Sequence, residues 1–184
     1  MKNPPVIHKV NQLYASRLFT LQSLDIEFSN GEEAVFERVV ANAPRAVMIA
    51  AINDDNEILL VREWAAGTER YELQLPKGIV EPEETSEQAA VRELAEETGY
   101  TANRVEKLQT LRVLPGYFQH DTDVVCVRDL YPQPLKSGDE PEPLEVVAWS
   151  LDRIDELLAR DDFSESRSIA ALLMVSRMLD NERG

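Results

Sequence analysis

Residues 78–100 read GIVEPEETSEQAAVRELAEETGY, and this segment constrains the fold more than any other stretch of the chain. Thr85 and Gln88 have the spacing of a capping box, in which the two residues hydrogen-bond reciprocally at a helix start. Gly99 stands where a helix commonly ends in a left-handed residue. The pattern therefore predicts a helical stretch that opens at Pro82 and ends at Gly99.

Three carboxylates, Glu93, Glu96 and Glu97, fall on one face of this predicted helix, since residues three and four apart are neighbours. The adjoining face carries Ala90 and Leu94, which can pack on a sheet. From residue 81 to residue 97 there are seven acids and one base, Arg92, which can bridge to Glu96 four positions on. Clustered carboxylates at the edge of a core are typical of sites for hard divalent cations. A solvated acidic surface is the alternative.

Outward from this helix, the chain alternates strand-like and helix-like patterns. Residues 46–52 form a continuous apolar run, as expected of a strand buried on both faces. Residues 17–40 predict a β-hairpin with a two-residue turn at Asn30-Gly31, followed by a joint at 41–44. Further strands are expected at 57–64, 105–114, 123–130 and 144–149, and helices at 151–159 and 165–181. This order favours an α/β layered fold, with an N-terminal β extension over residues 1–44 and the main domain over residues 45–184.

The formal charge of −15 excludes the basic surface that duplex DNA or structured RNA requires. A phosphate substrate would need a divalent cation to offset the repulsion. The first residues lack the apolar region of a signal peptide, and no apolar run is long enough for a bilayer. The single cysteine, Cys126, suits a reducing cytosol, and the distant His8 and His120 argue against a zinc site. We therefore expect a cytoplasmic protein with a small-molecule ligand and without nucleic-acid or membrane partners.

The segment 78–100 resembles the Nudix box, Gly-x5-Glu-x7-Arg-Glu-U-x-Glu-Glu-x-Gly-U, in which U is a bulky aliphatic residue. All the fixed charged and glycine positions match: Gly78, Glu84, Arg92, Glu93, Glu96, Glu97 and Gly99, with Leu94 at the first U position. Tyr100 departs from the pattern at the last U position, which changes packing there. The resemblance implies a Nudix α/β/α sandwich with a mixed sheet, preceded by a small antiparallel β extension.

The resemblance also implies the roles of the box residues. Glu93, Glu96 and Glu97 would bind two or three Mg²⁺ or Mn²⁺ ions, joined by the backbone carbonyl of Lys77. Arg92 would orient these glutamates through salt bridges. Glu84 would support the start of the helix. A further role for Glu84 would be to bind a second metal.

Other segments resemble the ADP-ribose pyrophosphatase branch of the family. Pro115 lies about fifteen residues beyond the box, and residues 6–40 suit the N-terminal extension that completes a homodimer in that branch. Lys77 stands where relatives often have a small residue. Further likeness lies in residues 16–20, 27–31, 71–73, 129–132 and 138–144. The resemblance implies metal-dependent hydrolysis of ADP-ribose, NADH or diadenosine polyphosphates to AMP and a phosphorylated product.

From its composition alone, the acidic loop that contains Glu140 and Glu142 is expected to be a rigid, solvated turn. By resemblance it would supply a general base, Glu140, and a metal ligand, Glu142, because attack on phosphorus requires an activated water. Glu93 or Glu97 could serve as the base instead.

Four residues are candidates for substrate contacts. Arg62 and Glu63 end a predicted strand and are either contacts to phosphate and ribose or a surface pair. Phe28 and Tyr117 are either adenine stackers or core and interface residues.

Two other functions stay open as alternatives. One is an RNA 5′-pyrophosphohydrolase, which the charge of −15 disfavours. The other is a non-catalytic Nudix domain that senses a nucleotide, which the complete set of box glutamates disfavours.

Overall fold

The computed structural model of the protein describes residues 3–134 and 141–183. Its elements are β1 (Val6–Ala15), β2 (Phe19–Glu27), β3 (Glu33–Ala51), β4 (Glu57–Ala65), β5 (Arg70–Gln74), β6 (Lys77–Ile79), α1 (Ser86–Thr98), β7 (Tyr100–Leu111), β8 (Phe118–Pro132), β9 (Glu145–Ser150), a 3₁₀ turn (Leu151–Arg153), α2 (Ile154–Leu158) and α3 (Ser166–Arg183). The chain forms two compact units. Unit 1 comprises Met1–Arg45 and Arg112–Asp121, and unit 2 comprises Ala46–Leu111 and Thr122–Gly184.

Unit 1 is built on antiparallel strands, with β1 paired to β2 and β2 paired to the first part of β3. The predicted hairpin is confirmed, but its two-residue turn is wrong. Glu27 pairs with Glu33, so five residues form the loop. The loop closes because the amide of Phe28 donates to the carbonyl of Glu32, while Gly31 adopts a φ of +84° that favours glycine.

Unit 2 contains the buried part of β3, whose side chains alternate between two hydrophobic clusters. Met48 and Ala50, together with Ile52 directly after the strand, enter a cluster with residues of α2 and α3. Val47, Ile49 and Ala51 enter a second cluster with residues of α1. The strand is therefore buried on both faces, as its apolar run predicts, and helices cover both sides of the layer.

Strand pairing in unit 2 forms two sheets. In one, β6 pairs with β3, β8 neighbours β3, and β7 pairs with β8. In the other, β4 lies between β5 and β9, so β5 is an edge strand. No helix among residues 3–134 and 141–183 is long and apolar enough to cross a membrane.

Several boundaries differ from the sequence predictions; the strand expected at 123–130, for example, runs from Phe118 to Pro132. The predicted joint at 41–44 lies inside β3, which runs from Glu33 to Ala51. The predicted helix starts at Ser86 and not at Pro82, because Glu83 has a φ of +70° and Thr85 is the N-cap. The strand expected from residue 105 begins at Tyr100, directly after the helix, and ends at Leu111.

Candidate active site

Helix α1 is held at both ends by the residues that the sequence singles out. The Thr85 hydroxyl accepts the Gln88 amide at 3.2 Å, and the Gln88 side chain accepts the Thr85 amide at 2.9 Å. At the other end Gly99 adopts a φ of +74°, and its amide donates to the Ala95 carbonyl. The capping box and the glycine C-cap are both confirmed, and they fix where the helix begins and ends.

Gly78 lies directly against the carboxylate of Glu93. A Cβ atom built on Gly78 would stand 1.9 Å from Cδ of Glu93, far inside van der Waals contact. Gly78 pairs with Val47 of β3, so the backbone cannot easily retreat. The Glu93 carboxylate occupies the space of a Cβ atom, so any larger residue at position 78 would displace this carboxylate.

Glu97 is the most buried of the three box carboxylates, with 6% of the residue exposed. Its Oε2 accepts the backbone amide of Lys77 at 3.1 Å. The Lys77 ammonium donates at 2.5 Å to Oε2 of Glu63, which also accepts the Gln74 amide. Lys77 thus binds one carboxylate through its backbone and a second through its side chain.

Arg92 is the centre of the charged cluster. Its Nε and Nη2 contact the two oxygens of Glu84 at 2.9 Å and 3.0 Å, a bidentate geometry. Nη1 donates to Glu93 at 2.8 Å and to Glu96 at 3.2 Å, which confirms the predicted bridge between Arg92 and Glu96. The Arg92 guanidinium lowers the pKa of the Glu84 carboxyl, and Glu84 raises the pKa of Arg92.

The donor set suits a hard divalent cation. Glu84, Glu93 and Glu96 share one guanidinium, and Glu97 adds a fourth carboxylate nearby on the same helix. The cluster therefore has an excess of negative charge and oxygen donors, which Mg²⁺ prefers. Within residues 3–134 and 141–183, no three Asp, Glu, His or Cys side chains already surround one point as metal ligands do. Ligation would require the arginine-bound carboxylates to rotate.

The acidic loop contributes Glu142, whose Oε1 accepts the Tyr71 hydroxyl at 2.6 Å. This contact raises the pKa of Tyr71. Trp64 packs edge-on against the Tyr71 ring, with centroids 5.5 Å apart. Glu140 lies outside the described residues. Sequence reasoning missed the Tyr71 contact, because nothing local relates two residues 71 positions apart.

Arg62 is held by carboxylates that do not belong to the box. Its Nε donates to Glu145 at 2.9 Å and its Nη1 donates to Asp162 at 2.7 Å. Asp162 also binds Arg160 through both oxygens, and the hydrogen bonds from Arg160 and then Arg62 strongly lower the pKa of Asp162. Glu63, the next residue, instead joins Lys77 and Gln74.

The two aromatic candidates belong to unit 1. Phe28 is 39% exposed and its ring lies 6.1 Å from that of Phe36. Tyr117 is 55% exposed and lines a cavity of about 370 Å³ with Arg38 and His120 among its neighbours. Neither residue is a core residue, so both are available to contact a ligand or another chain.

Comparison with known proteins identifies the class of this fold and site. The NUDIX domain family matches residues 42–173, and the NudE-type Nudix hydrolase N-terminal domain matches residues 5–38. The chain belongs to the Nudix hydrolase family. It is a pyrophosphatase, and the predicted mixed α/β Nudix fold is confirmed.

Individual relatives that match most of this chain include hydrolases of ADP compounds and of ADP-ribose. The ADP compounds hydrolase NudE of Escherichia coli (strain K12) is 45% identical over 97% of this chain and 95% of its own length. The ADP-ribose pyrophosphatase of Bacillus subtilis (strain 168) is 28% identical over 88% of this chain and 86% of its own length. A crystal structure of an ADP compounds hydrolase superposes with a TM-score of 0.90 at 43% identity, and covers 99% of this chain and 97% of the other.

Proposed function

We propose that this protein hydrolyses the pyrophosphate of ADP-linked compounds in a reaction that requires a divalent cation and yields AMP and a phosphorylated product. The main support for this proposal is the cluster of Nudix-box carboxylates, in which Glu93 contacts Gly78 and Glu97 accepts the backbone amide of Lys77. The similarity to the Escherichia coli enzyme over 97% of the chain supports ADP compounds as the substrate class. ADP-ribose, NADH and diadenosine polyphosphates are the substrates to test.

The metal-binding role is assigned to Glu93, Glu96 and Glu97, with the Lys77 carbonyl and Glu142 as further ligands. Nudix hydrolases generally use divalent metal ions. We propose two or three Mg²⁺ or Mn²⁺ ions here, since four carboxylates on α1 and before it outnumber the one arginine. A bound cation supplies charge neutralisation of the pyrophosphate and a more acidic water.

The protein's own contribution is to orient these ligands. Arg92 binds Glu84 bidentately and holds one oxygen of Glu93 and one of Glu96, so these carboxylates are kept close together and need only rotate to bind a metal. The Lys77 amide does the same for Glu97. For the base that removes a proton from the attacking water we propose Glu140, with Glu93 or Glu97 as the alternative.

Substrate contacts are proposed for residues around and beyond the box. Arg62 and Glu63 lie at the end of β4, where a phosphate contact by Arg62 would compete with Glu145 and Asp162. Phe28 and Tyr117 are proposed as adenine stackers because both rings are exposed.

We further propose that the protein is a cytoplasmic homodimer in which the extension of residues 1–44 contributes to dimerisation and to substrate contacts. Strand β1 is an edge strand with exposed apolar side chains, among them Val6, Val10 and Leu13. Such an edge favours pairing with another chain. Light scattering with size-exclusion chromatography measures the mass directly, and a mass of one chain would contradict the dimer.

The test of the proposed function is product release from a panel of ADP-ribose, NADH, diadenosine triphosphate and triphosphorylated RNA. Chromatographic separation of AMP and the other products reports turnover directly, with Mg²⁺, with Mn²⁺ and with EDTA. We expect turnover of at least one ADP compound that EDTA abolishes and that added metal restores.

The other outcomes separate the competing functions. Turnover of RNA alone would assign an RNA 5′-pyrophosphohydrolase. Binding of an ADP compound without turnover by folded, metal-loaded protein would assign a nucleotide-sensing domain.

A further inference from the structure

Three successive residues, Leu75, Pro76 and Lys77, connect β5 to the glycine that lies against Glu93. Each has a backbone atom bound to a different element of unit 2. The Leu75 amide donates to Oγ of Ser168 on α3 at 3.1 Å. The Pro76 carbonyl accepts the Ile49 amide of β3 at 2.8 Å, and the Lys77 amide donates to Glu97 of α1 at 3.1 Å.

Leu75 directly follows the edge strand β5, and its amide finds its partner outside the sheet. Strand β5 pairs with β4 on one side, and the amides of Leu73 and Leu75 find partners elsewhere. The Leu73 amide donates to the Asp162 carbonyl at 2.6 Å, and the Leu75 amide donates to Ser168. The segment that leads into α3 and the first turn of α3 therefore satisfy these two backbone amides.

The Ser168 hydroxyl is itself fixed and has no exposure to solvent. It donates to Oε2 of Glu165 at 3.0 Å, and the same oxygen accepts the Ser168 amide at 2.7 Å. Arg167 donates to the other Glu165 oxygen at 2.8 Å. The same hydroxyl lies 3.8 Å from Sδ of Met48, but the Glu165 carboxylate is the stronger acceptor of its single proton. A lone pair of Ser168 then accepts the Leu75 amide.

We infer that Ser168 is a positioning residue for the active site, which acts on Glu97 through the backbone of Leu75, Pro76 and Lys77. Pro76 has a fixed φ, so a shift of the Leu75 amide is transmitted to Lys77 two residues on. Lys77 in turn sets the position of the buried Glu97 carboxylate. The part of this inference that concerns metal binding rests on the proposed function, and the part that concerns backbone positioning does not.

The experiment compares Ser168→Ala with Leu172→Ala, a control that removes buried volume from the same helix and core cluster but no hydrogen bond to the Leu75 amide. Amide hydrogen exchange in metal-free protein reports the position of Lys77, with Leu60 in the core as internal reference. We expect Ser168→Ala to raise the exchange rate of Lys77 relative to Leu60 by about ten-fold, because the chain loses its anchor. Leu172→Ala should leave this ratio unchanged.

Calorimetric titration with Mn²⁺ supplies a second measurement. Ser168→Ala should weaken Mn²⁺ binding by about ten-fold, the size expected when a partner that orients a ligand is lost. Leu172→Ala should bind Mn²⁺ as the wild type does. If Ser168→Ala does not fold, Ser168→Cys keeps the side-chain volume with a weaker acceptor and takes its place in both measurements.

Two results would overturn the inference or separate it from the proposed function. If the ratio of the Lys77 and Leu60 exchange rates is the same in Ser168→Ala and Leu172→Ala, Ser168 only packs α3 and does not position Lys77. Wild-type protein that binds no Mn²⁺ would contradict the proposed metal site, while the exchange ratios in metal-free protein would still decide the positioning role.

Discussion

Unit 2 contains two clusters centred on arginine, and they differ in charge balance. Arg92 forms ion pairs with three carboxylates, those of Glu84, Glu93 and Glu96. Arg62 shares Asp162 with Arg160, so two guanidiniums face Asp162 and Glu145. The first cluster has excess negative charge and can attract a cation, whereas the second is neutral and resembles a structural clamp. The ratio of acids to bases, and not the presence of an arginine, distinguishes the two.

The largest effect is expected in the first cluster, for Glu97→Gln. The variant keeps the shape of the side chain but removes a charged ligand, so kcat should fall by more than about 100-fold. Thermal unfolding should change little. Steady-state kinetics with saturating metal measures the fall, and Glu87→Gln, on the same helix but at a variable position of the box, is the control.

Wild-type turnover by Glu97→Gln would contradict the metal assignment. A comparable loss in Glu87→Gln would show that the kinetics respond to the general charge of α1 and not to the ligand set.

Gly78→Ala should have the next largest effect. Its methyl group would overlap the Glu93 carboxylate, which is the end of a flexible side chain and would have to leave its contact with Arg92. Activity should fall by about ten-fold or more, with a smaller change in the thermal midpoint. Gly67→Ala is the matched control, because a Cβ atom there meets nothing within 4 Å. Equal activity of the two variants would show that turnover does not depend on the position of the Glu93 carboxylate.

Arg62→Met tests the neutral cluster. Loss of the ion pairs to Glu145 and Asp162 should lower the unfolding free energy by about 1 kcal/mol, a value reduced for partial exposure of the three side chains. The KM for the ADP compound should stay within about two-fold if the clamp is the main role. A rise in KM of ten-fold or more, measured with intact folding, would instead assign Arg62 to a substrate phosphate.

The smallest effect concerns acid stability. The pKa of Asp162 is lowered in the folded protein by Arg160 and Arg62, so its ionised form favours the folded state. This contribution is present above the unfolded carboxyl pKa of about 3.9 and is lost as pH falls through the lower folded value. Asp162→Asn should therefore flatten the fall of stability below about pH 4, as measured by urea unfolding at several pH values. An unchanged slope would mean that Asp162 does not titrate differently in the two states.

Sequence reasoning succeeded where the interacting residues are close along the chain. The capping box spans three residues and the bridge from Arg92 to Glu96 spans four, so helix periodicity is enough to predict both. The burial of residues 46–52 also follows from a local apolar run. These local patterns, with the family resemblance, were sufficient to identify the α/β fold and the cluster on α1.

Contacts between distant residues could not be predicted in this way. Ser168 lies 93 positions from Leu75, and Asp162 lies 100 positions from Arg62. These contacts depend on how α3 and the segment before it pack against the sheet that contains β4 and β5. The helix start was misplaced because the positive φ of Glu83 is a property of the folded turn. A positive φ is unusual for a residue other than glycine, and the amino-acid sequence around Glu83 does not predict it.

The alternation of β3 between two cores has a consequence for how this chain can change during evolution. Met48, Ala50 and Ile52 belong to one cluster, and their immediate neighbours Val47, Ile49 and Ala51 belong to the other. Deletion of a single residue there would exchange the two sets and present each cluster with side chains of the wrong size. Homologues can therefore vary the size of individual residues within this strand, but gains and losses of residues should be confined to loops.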